Sequence, residues 1–319
     1  MDARLANTAG NSISYYLGRI AWRLFRTVLM ISMTFVVLYP LLYMISMAFR
    51  PAADVYNPQI VWIPTRLTLD NIKMAVDGLE YWTLLGRTAF LSLSASVIQV
   101  LIGSTVGYGL GRFKFPGRTL MLVVVLLSII VPQQIIALPT YLNFNNLDFF
   151  GIIRAITGKP SPINLLGNPL LFCILAFFGQ GIRSGLILLI FRQFYASMPD
   201  ELESAAMVDG AGFSRTYLQI MMPNARNIFL VAFLFSLVWY WNDYFLTSIY
   251  IGDMPTLAVR LSAIRSTMEK VIGSEAFDSY YMVVIEQSAC LLMILPVLLL
   301  YIFTQRYFTE GIEKSGIVG

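Results

Sequence analysis

Four carboxylates, Asp200, Glu201, Glu203 and Asp209, fall within eleven residues of the segment PDELESAAMVDGAGFSRTYLQIMMP, residues 199–223. Acids this dense could bind metal or carry protons if other ligands joined them. The chain contains no histidine, which removes histidine metal sites, histidine-based triads and the usual proton switch near neutral pH. Its two cysteines, Cys173 and Cys290, lie far apart in apolar stretches without CxxC spacing and read as small core hydrophobes. No GxxxxGK[ST] phosphate loop occurs, and TGKPSP at 157–162 lacks the glycine spacing and follows no strand. The expectation is therefore no catalytic residue, no resident metal and no cofactor in this chain.

The same acids make sense as structure. Ser197, three residues before Asp200, is expected to cap a short helix, with Pro199 near its first turn. Asp200, Glu201 and Glu203 crowd the positive end of that helix. Leu202, Ala205 and Ala206 would share one face, giving a crest of small residues. Gly210 and Gly212 end the helix, with the Asp209 side chain holding the turn. A second pattern, Phe213, Tyr217 and Ile220, runs to Pro223. The segment reads as a rigid helix–turn–helix, and a plain connector seldom needs this much turn chemistry.

Its surroundings are apolar. Of 319 residues, 57% are hydrophobic and 13% charged, against about 25% charged in soluble domains, and the mean hydropathy is +0.70. Six runs approach the roughly 20 apolar residues that cross a bilayer. They are Thr27–Phe49, Thr88–Gly111, Thr119 to about Pro139, Pro169 to about Phe191, Ile228 to about Ile251, and Ser288 to about Thr304. The fold class expected is all-α, a polytopic membrane protein of six transmembrane helices forming one domain over 1–319. The first run is too long for a signal peptide and lacks a small-residue cleavage site. The net charge of +4 sits at the edges of apolar runs, where it sets topology; no basic stripe suits nucleic acid.

Arg19, Arg23 and Arg26 precede the first run, and the 112–118 loop carries Arg112, Lys114 and Arg118 without an acid. Short basic loops face the cytoplasm. This places both termini and residues 192–227 in the cytoplasm, and the loops 50–87, 140–168 and 252–287 outside. The acidic helix–turn–helix thus projects into the cytoplasm between the fourth and fifth spans.

Ionisable residues inside the spans are few: Arg183, Asp243 and, at one edge, Glu286. Such residues mark functional sites by default. Trp241, Asn242, Asp243 and Tyr244 form a candidate solute pathway, with Trp239, Tyr240 and Phe245 adding aromatic surfaces on which a solute could stack. Two other readings stay open at this level. Asn242 and Asp243 could satisfy broken helix backbone, and the aromatics could form an interfacial belt. Gly103, Gly107, Gly109 and Gly111 read as close helix packing.

The motif PDELESAAMVDGAG…P resembles the cytoplasmic signature of permease subunits in binding-protein-dependent ATP-binding-cassette importers. That signature is roughly E-A-A, three residues, D-G-A, and a proline about a dozen residues later. Ala205, Ala206, Asp209, Gly210, Ala211 and Pro223 match it. FRQFYASMP (191–199), WNDYF (241–245) and QRYFTEGIEKSGIVG (305–319) resemble the carbohydrate branch, the maltose-permease-like group. The resemblance implies the type I importer permease fold, with a core over 84–305 that includes a 197–223 element docking a separate ATPase. Two departures stand out. Ser204 occupies the position of the family's glutamate, so that Glu201 or Glu203 is the candidate replacement, and Val318 stands where a lysine is common.

The resemblance also implies the partners: a second permease, two ATPase subunits holding ATP and magnesium, and an extracytoplasmic binding protein that delivers a carbohydrate. The location implied is the bacterial cytoplasmic membrane, with the 252–287 loop approaching the binding protein. The alternatives are an importer of an amine or peptide and, from a different class, an ion-coupled secondary transporter.

Overall fold

The computed structural model describes residues 2–148, 151–158, 163–252, 254–272 and 278–315. Among these the chain is helical, with one isolated bridge between Leu147 and Ile163. Three helices are continuous, long and apolar enough to cross a membrane: α1 (Asp2–Ala48), α2 (Tyr81–Arg112) and α11 (Ser279–Ser315). They contain the first, second and sixth expected spans. The 305–319 match lies largely outside the residues whose side chains are described, and Val318 lies outside the described residues altogether.

The middle three runs are broken, and of these breaks only the one at Asn242–Asp243 is among the sequence readings. The third run divides into α3 (Arg118–Ile130) and α4 (Gln133–Asn145), bent by 101°. Pro132 has no N–H to donate and holds the preceding Val131 extended (φ −70°, ψ 119°). The fourth run divides into α5 (Leu170–Phe177) and α6 (Ser184–Ser197). Between them Gly179 (φ +72°) and Arg183 (φ +54°) both take the left-handed conformation. After α7 (Glu201–Val208) and α8 (Phe213–Thr216), the fifth run divides into α9 (Arg226–Trp241) and α10 (Phe245–Tyr250). With α11 these segments complete the helices used below. Apolar length announced the runs; proline, glycine and polar punctuation within them decided the breaks.

Packing groups the chain into two units. Residues 1–75 with Asp278–Leu291 form the first. There Arg50 donates to Ser46 Oγ (3.1 Å) and the Val61 carbonyl (2.6 Å), while Asn71 donates to the Arg50 carbonyl (2.6 Å) and accepts from Tyr281 (2.6 Å). These bonds satisfy buried polar groups that would otherwise be costly.

Residues 76–277 with Leu292–Gly319 form the second unit. Its spine is α2 against α6. A Cβ on Gly103 would lie 2.8 Å from Ile187 Cγ2, and one on Gly107 would lie 2.7 Å from Phe191 Cβ. Small residues therefore let the two helices approach, as expected. Gly109 plays no part in that approach, since its nearest neighbour is Phe113 of its own segment. Leu91, Ala95, Leu171, Phe172, Tyr240 and Tyr250 form one buried cluster, and Val100, Ile187, Phe191, Tyr195, Met221 and Ala232 belong to another.

Candidate functional site

Residues 199–223 fold as helix, tight turn and helix, but the details differ from the expectation. Ser197 ends α6 and donates to the Phe194 carbonyl (2.8 Å). Asp200, not Ser197, stands at the start of α7. Its carboxylate makes no capping bond because Arg112 of α2 takes it at 2.8 Å. Arg112 also pairs with Glu203 (2.9 Å) and donates to the Met198 carbonyl (2.9 Å). Tyr108, one turn earlier on α2, donates to Glu203 at 2.9 Å.

This clamp decides between the two candidate glutamates. The Glu203 side chain is 17% exposed and turned into the clamp, whereas Glu201 is exposed. Ser204 is exposed and returns its hydroxyl to the Asp200 carbonyl (3.0 Å). Nothing in local sequence announced the clamp, because Arg112 is 88 positions from Asp200. Its only sequence signal was a basic residue at a span end.

Gly210 adopts φ +74°, and the Ala211 N–H reaches back to the Ala206 carbonyl (2.9 Å). That six-to-one bond closes the helix on a left-handed glycine. The Asp209 side chain makes no hydrogen bond in the turn, contrary to expectation; its N–H continues the helix to Ala205 (3.0 Å). The crest also differs: Ala206 is buried while Ala205 is exposed, and the projecting residues are Val208, 87% exposed, and Met207, 61% exposed. Gly212 starts α8, after which Tyr217–Met221 form one π turn before Pro223. Pro223 cannot donate to the ladder, which favours a loosened turn there.

Aromatic packing anchors the segment. Tyr217 stacks on Tyr108 (4.9 Å between centroids), and Phe213 meets Phe113 (4.4 Å). Ser104 on α2 hydrogen-bonds both Tyr195 (2.8 Å) and Tyr217 (2.9 Å). The helix–turn–helix is thus held to α2 and α6 by charge, hydroxyls and rings together.

The second candidate site separates on inspection. Asp243 accepts from the Thr247 N–H and hydroxyl (2.7 Å each) and from the Leu246 N–H (3.4 Å). It caps the start of α10, satisfying broken backbone as the structural alternative held. Trp241 is buried and donates to the Met293 carbonyl (3.1 Å). Asn242 and Tyr244 are exposed. The four residues therefore do not converge on one shared lining. Asp243 and its capped break lie at the end of α9, and Trp241 packs on α11.

A cavity of about 790 Å³ lies elsewhere, at the breaks of the third and fourth runs. Gln133, Gln134, Asn143, Gln180 and Arg183 contribute its polar lining. Of these, the sequence singled out Arg183 alone. Composition was no guide, because the cavity exists only once two helices have bent. Among the described residues no group of three or more metal-ligating side chains occurs.

A family model described as "Binding-protein-dependent transport system inner membrane component" matches residues 99–314. The chain belongs to this family. It is a membrane transport component of a system that works with a binding protein and hydrolyses ATP in a separate subunit, and an ion-coupled transporter acting alone is excluded. It is similar to the arabinooligosaccharides transport system permease protein AraQ of Halalkalibacterium halodurans, with 27% identity covering 89% of this chain and 92% of that protein. It is similar also to the maltodextrin transport system permease protein MdxG of Bacillus subtilis, with 27% identity covering 97% and 99%. Its fold matches a chain in the crystal structure of a bacterial ABC transporter involved in import of the acidic polysaccharide alginate. That match has a TM-score of 0.64 and 19% identity, over 90% of this chain and 96% of the other.

Proposed function

We propose that this chain is one of two permease subunits of an ATP-driven importer that moves a carbohydrate delivered by an extracytoplasmic binding protein. Two ATPase subunits, carrying ATP and magnesium, bind beneath it. Both termini and residues 197–223 face the cytoplasm, and six spans, three of them broken, cross the bacterial membrane. The sugar reading draws on AraQ and MdxG, whose names state oligosaccharide and maltodextrin transport.

The observation that carries the ATPase partnership is the projecting turn. Val208 and Met207 expose apolar surface on a segment whose root is fixed by Arg112, Tyr108 and Tyr217. An exposed apolar tip on a rigid arm suits insertion into a partner's cleft. Glu201, Ser204, Ala205 and Asp209 flank it, and Gly210, Ala211 and Pro223 set its shape. Motion of the ATPases would reach α2 and α6 through the clamp.

Gly210→Val tests this. A β-branched residue at φ +74° costs about 1–2 kcal/mol or more, applied at the turn itself. The variant is expected to reach the membrane yet lose uptake and solute-stimulated ATP hydrolysis. Normal coupling in Gly210→Val would overturn the docking assignment.

A further inference from the structure

We propose that the cavity at the two helix breaks receives the anionic group of an acidic carbohydrate, a carboxylate or phosphate, with Arg183 as its charge partner. This rests on the carbohydrate-importer reading and narrows its substrate class.

The cavity, about 790 Å³, falls within the usual 300–1,000 Å³ of small-molecule sites. Among the described residues Arg183 is the only formally charged one in its lining, and none of them is a carboxylate. A guanidinium has five N–H donors in a planar fork. Among the described residues none of Arg183's donors finds an acceptor, and its one partner is the Trp239 ring, 5.1 Å from the guanidinium carbon. Stacking on an aromatic face orients the fork and leaves its edges free. Arg183 is exposed and lines the cavity, and an ionisable residue within a spanning run faces such a cavity and marks a solute or ion pathway by default.

Its position is fixed by the chain around it. The neighbouring Ile182 N–H donates to Tyr240 (3.2 Å), the Ile182 carbonyl accepts from Gln99 (2.9 Å), and Tyr240 donates to Gln99 (2.7 Å). This closed network holds the left-handed backbone at Arg183, φ +54°, a conformation that side chains rarely adopt. A residue retained in strained backbone and presented to a cavity without a protein partner suits ligand contact.

Two helix starts add to the same field. Gln133 and Gln134 begin the 13-residue α4, and Ser184 and Gly185 begin the 14-residue α6; all four line the cavity. Ser184 Oγ is buried and has no hydrogen-bond partner among the described residues. Helix N-termini carry partial positive charge and uncommitted N–H groups, and broken spans use them to face anionic solutes. The amides Gln133, Gln134, Asn143 and Gln180 supply hydrogen bonds for sugar hydroxyls but give no reason for an unpaired cation.

A lipid phosphate is the competing source of the same chemistry. On the proposed topology, α3 and α6 start and end at the cytoplasmic face and run 13 and 14 residues to their breaks. At about 1.5 Å per residue the breaks lie about 20 Å deep in a hydrocarbon core about 30 Å thick. That depth is inside the membrane, away from either headgroup layer.

The test uses the whole importer, this chain with its permease and ATPase partners, in phosphatidylcholine nanodiscs. Three probes are compared: a galacturonate disaccharide, the galactose disaccharide of the same linkage, and galactose phosphate. Binding is read from tryptophan fluorescence, to which Trp239 beside Arg183 contributes, and from stimulated ATP hydrolysis. The acidic probes are expected to bind at least about tenfold more tightly than the neutral one, the gain from one charge-assisted contact. Arg183→Gln should erase that difference while leaving neutral-sugar binding intact, and Arg183→Lys should keep part of it.

Tighter binding of the neutral disaccharide, or acidic binding unchanged in Arg183→Gln, overturns the proposal while sparing the carbohydrate reading. Displacement of the acidic sugar by phosphatidylglycerol nanodiscs assigns the cavity to lipid and also overturns it. Binding of a peptide or amine and of no sugar brings down the carbohydrate reading itself.

Discussion

Asp243 and Glu203 are both acids set against apolar surroundings, and tertiary contacts give them opposite consequences on removal. Asp243 accepts backbone N–H groups at the start of α10. Asparagine can accept there too, so Asp243→Asn is expected to keep near-normal uptake, and Asp243→Ala to lose about 1 kcal/mol of stability. Thermal unfolding of detergent-purified protein and uptake at matched membrane levels check both. Trp241→Ala removes a buried ring and its bond to Met293, costing about 3–5 kcal/mol, and is expected to reduce the amount of folded protein in the membrane. Glu203 holds α7 to Arg112 and Tyr108. Glu203→Ala should therefore weaken co-purification of the ATPase more than Glu201→Ala does. Glu203→Gln, which can still accept from Tyr108, should restore part of the loss; equal effects from Glu201→Ala and Glu203→Ala would assign Glu203 no positioning role.

At the scale of elements, the seam between α2 and α6 carries the helix–turn–helix of residues 199–223. Gly107 meets Phe191 Cβ at 2.7 Å and the Arg192 nitrogen at 2.9 Å from an ideal Cβ. The backbone nitrogen cannot swing away as a flexible side chain could. Gly107→Val is expected to separate the two helices, at about 1–3 kcal/mol of overpacking or more. A lowered melting temperature in detergent, with residues 199–223 more readily proteolysed, checks it. Gly109→Val is the control, since its nearest neighbour stands at 3.9 Å. Spacing alone does not distinguish these glycines; only the facing helix separates them. The breaks of the third and fourth spans are not announced by hydropathy, although Pro132 and Gly179 lie at them, whereas the break at Asn242–Asp243 is one of the two readings those residues left open. A run of apolar residues fixes how much lipid-compatible surface exists, while a break depends on whether neighbours can satisfy the freed backbone. Gln99 and Tyr240 do so at Ile182, from 83 and 58 positions away.

For the whole molecule, the proposed topology predicts where the crest is reachable. A cysteine at Val208, 87% exposed, should react with a membrane-impermeant maleimide in inverted vesicles and not in intact spheroplasts. Bound ATPase subunits should protect it. Labelling from the outside would reverse the orientation drawn from Arg112, Lys114 and Arg118.

Composition, basic flanks and the DGAG turn determined, by themselves, an apolar helical membrane chain with a structured segment between its fourth and fifth runs. Those signals are local: hydropathy sums over neighbours, and Gly210 takes a left-handed turn open to glycine wherever the helix stops. The tertiary structure decided which acids are free and which are committed. It tied Asp200 and Glu203 to Arg112, spent Asp243 on a helix start, and set Arg183 beside a cavity with the Trp239 ring against it. Charge in a low-dielectric interior is governed by the nearest few ångströms, and those neighbours come from distant parts of the chain.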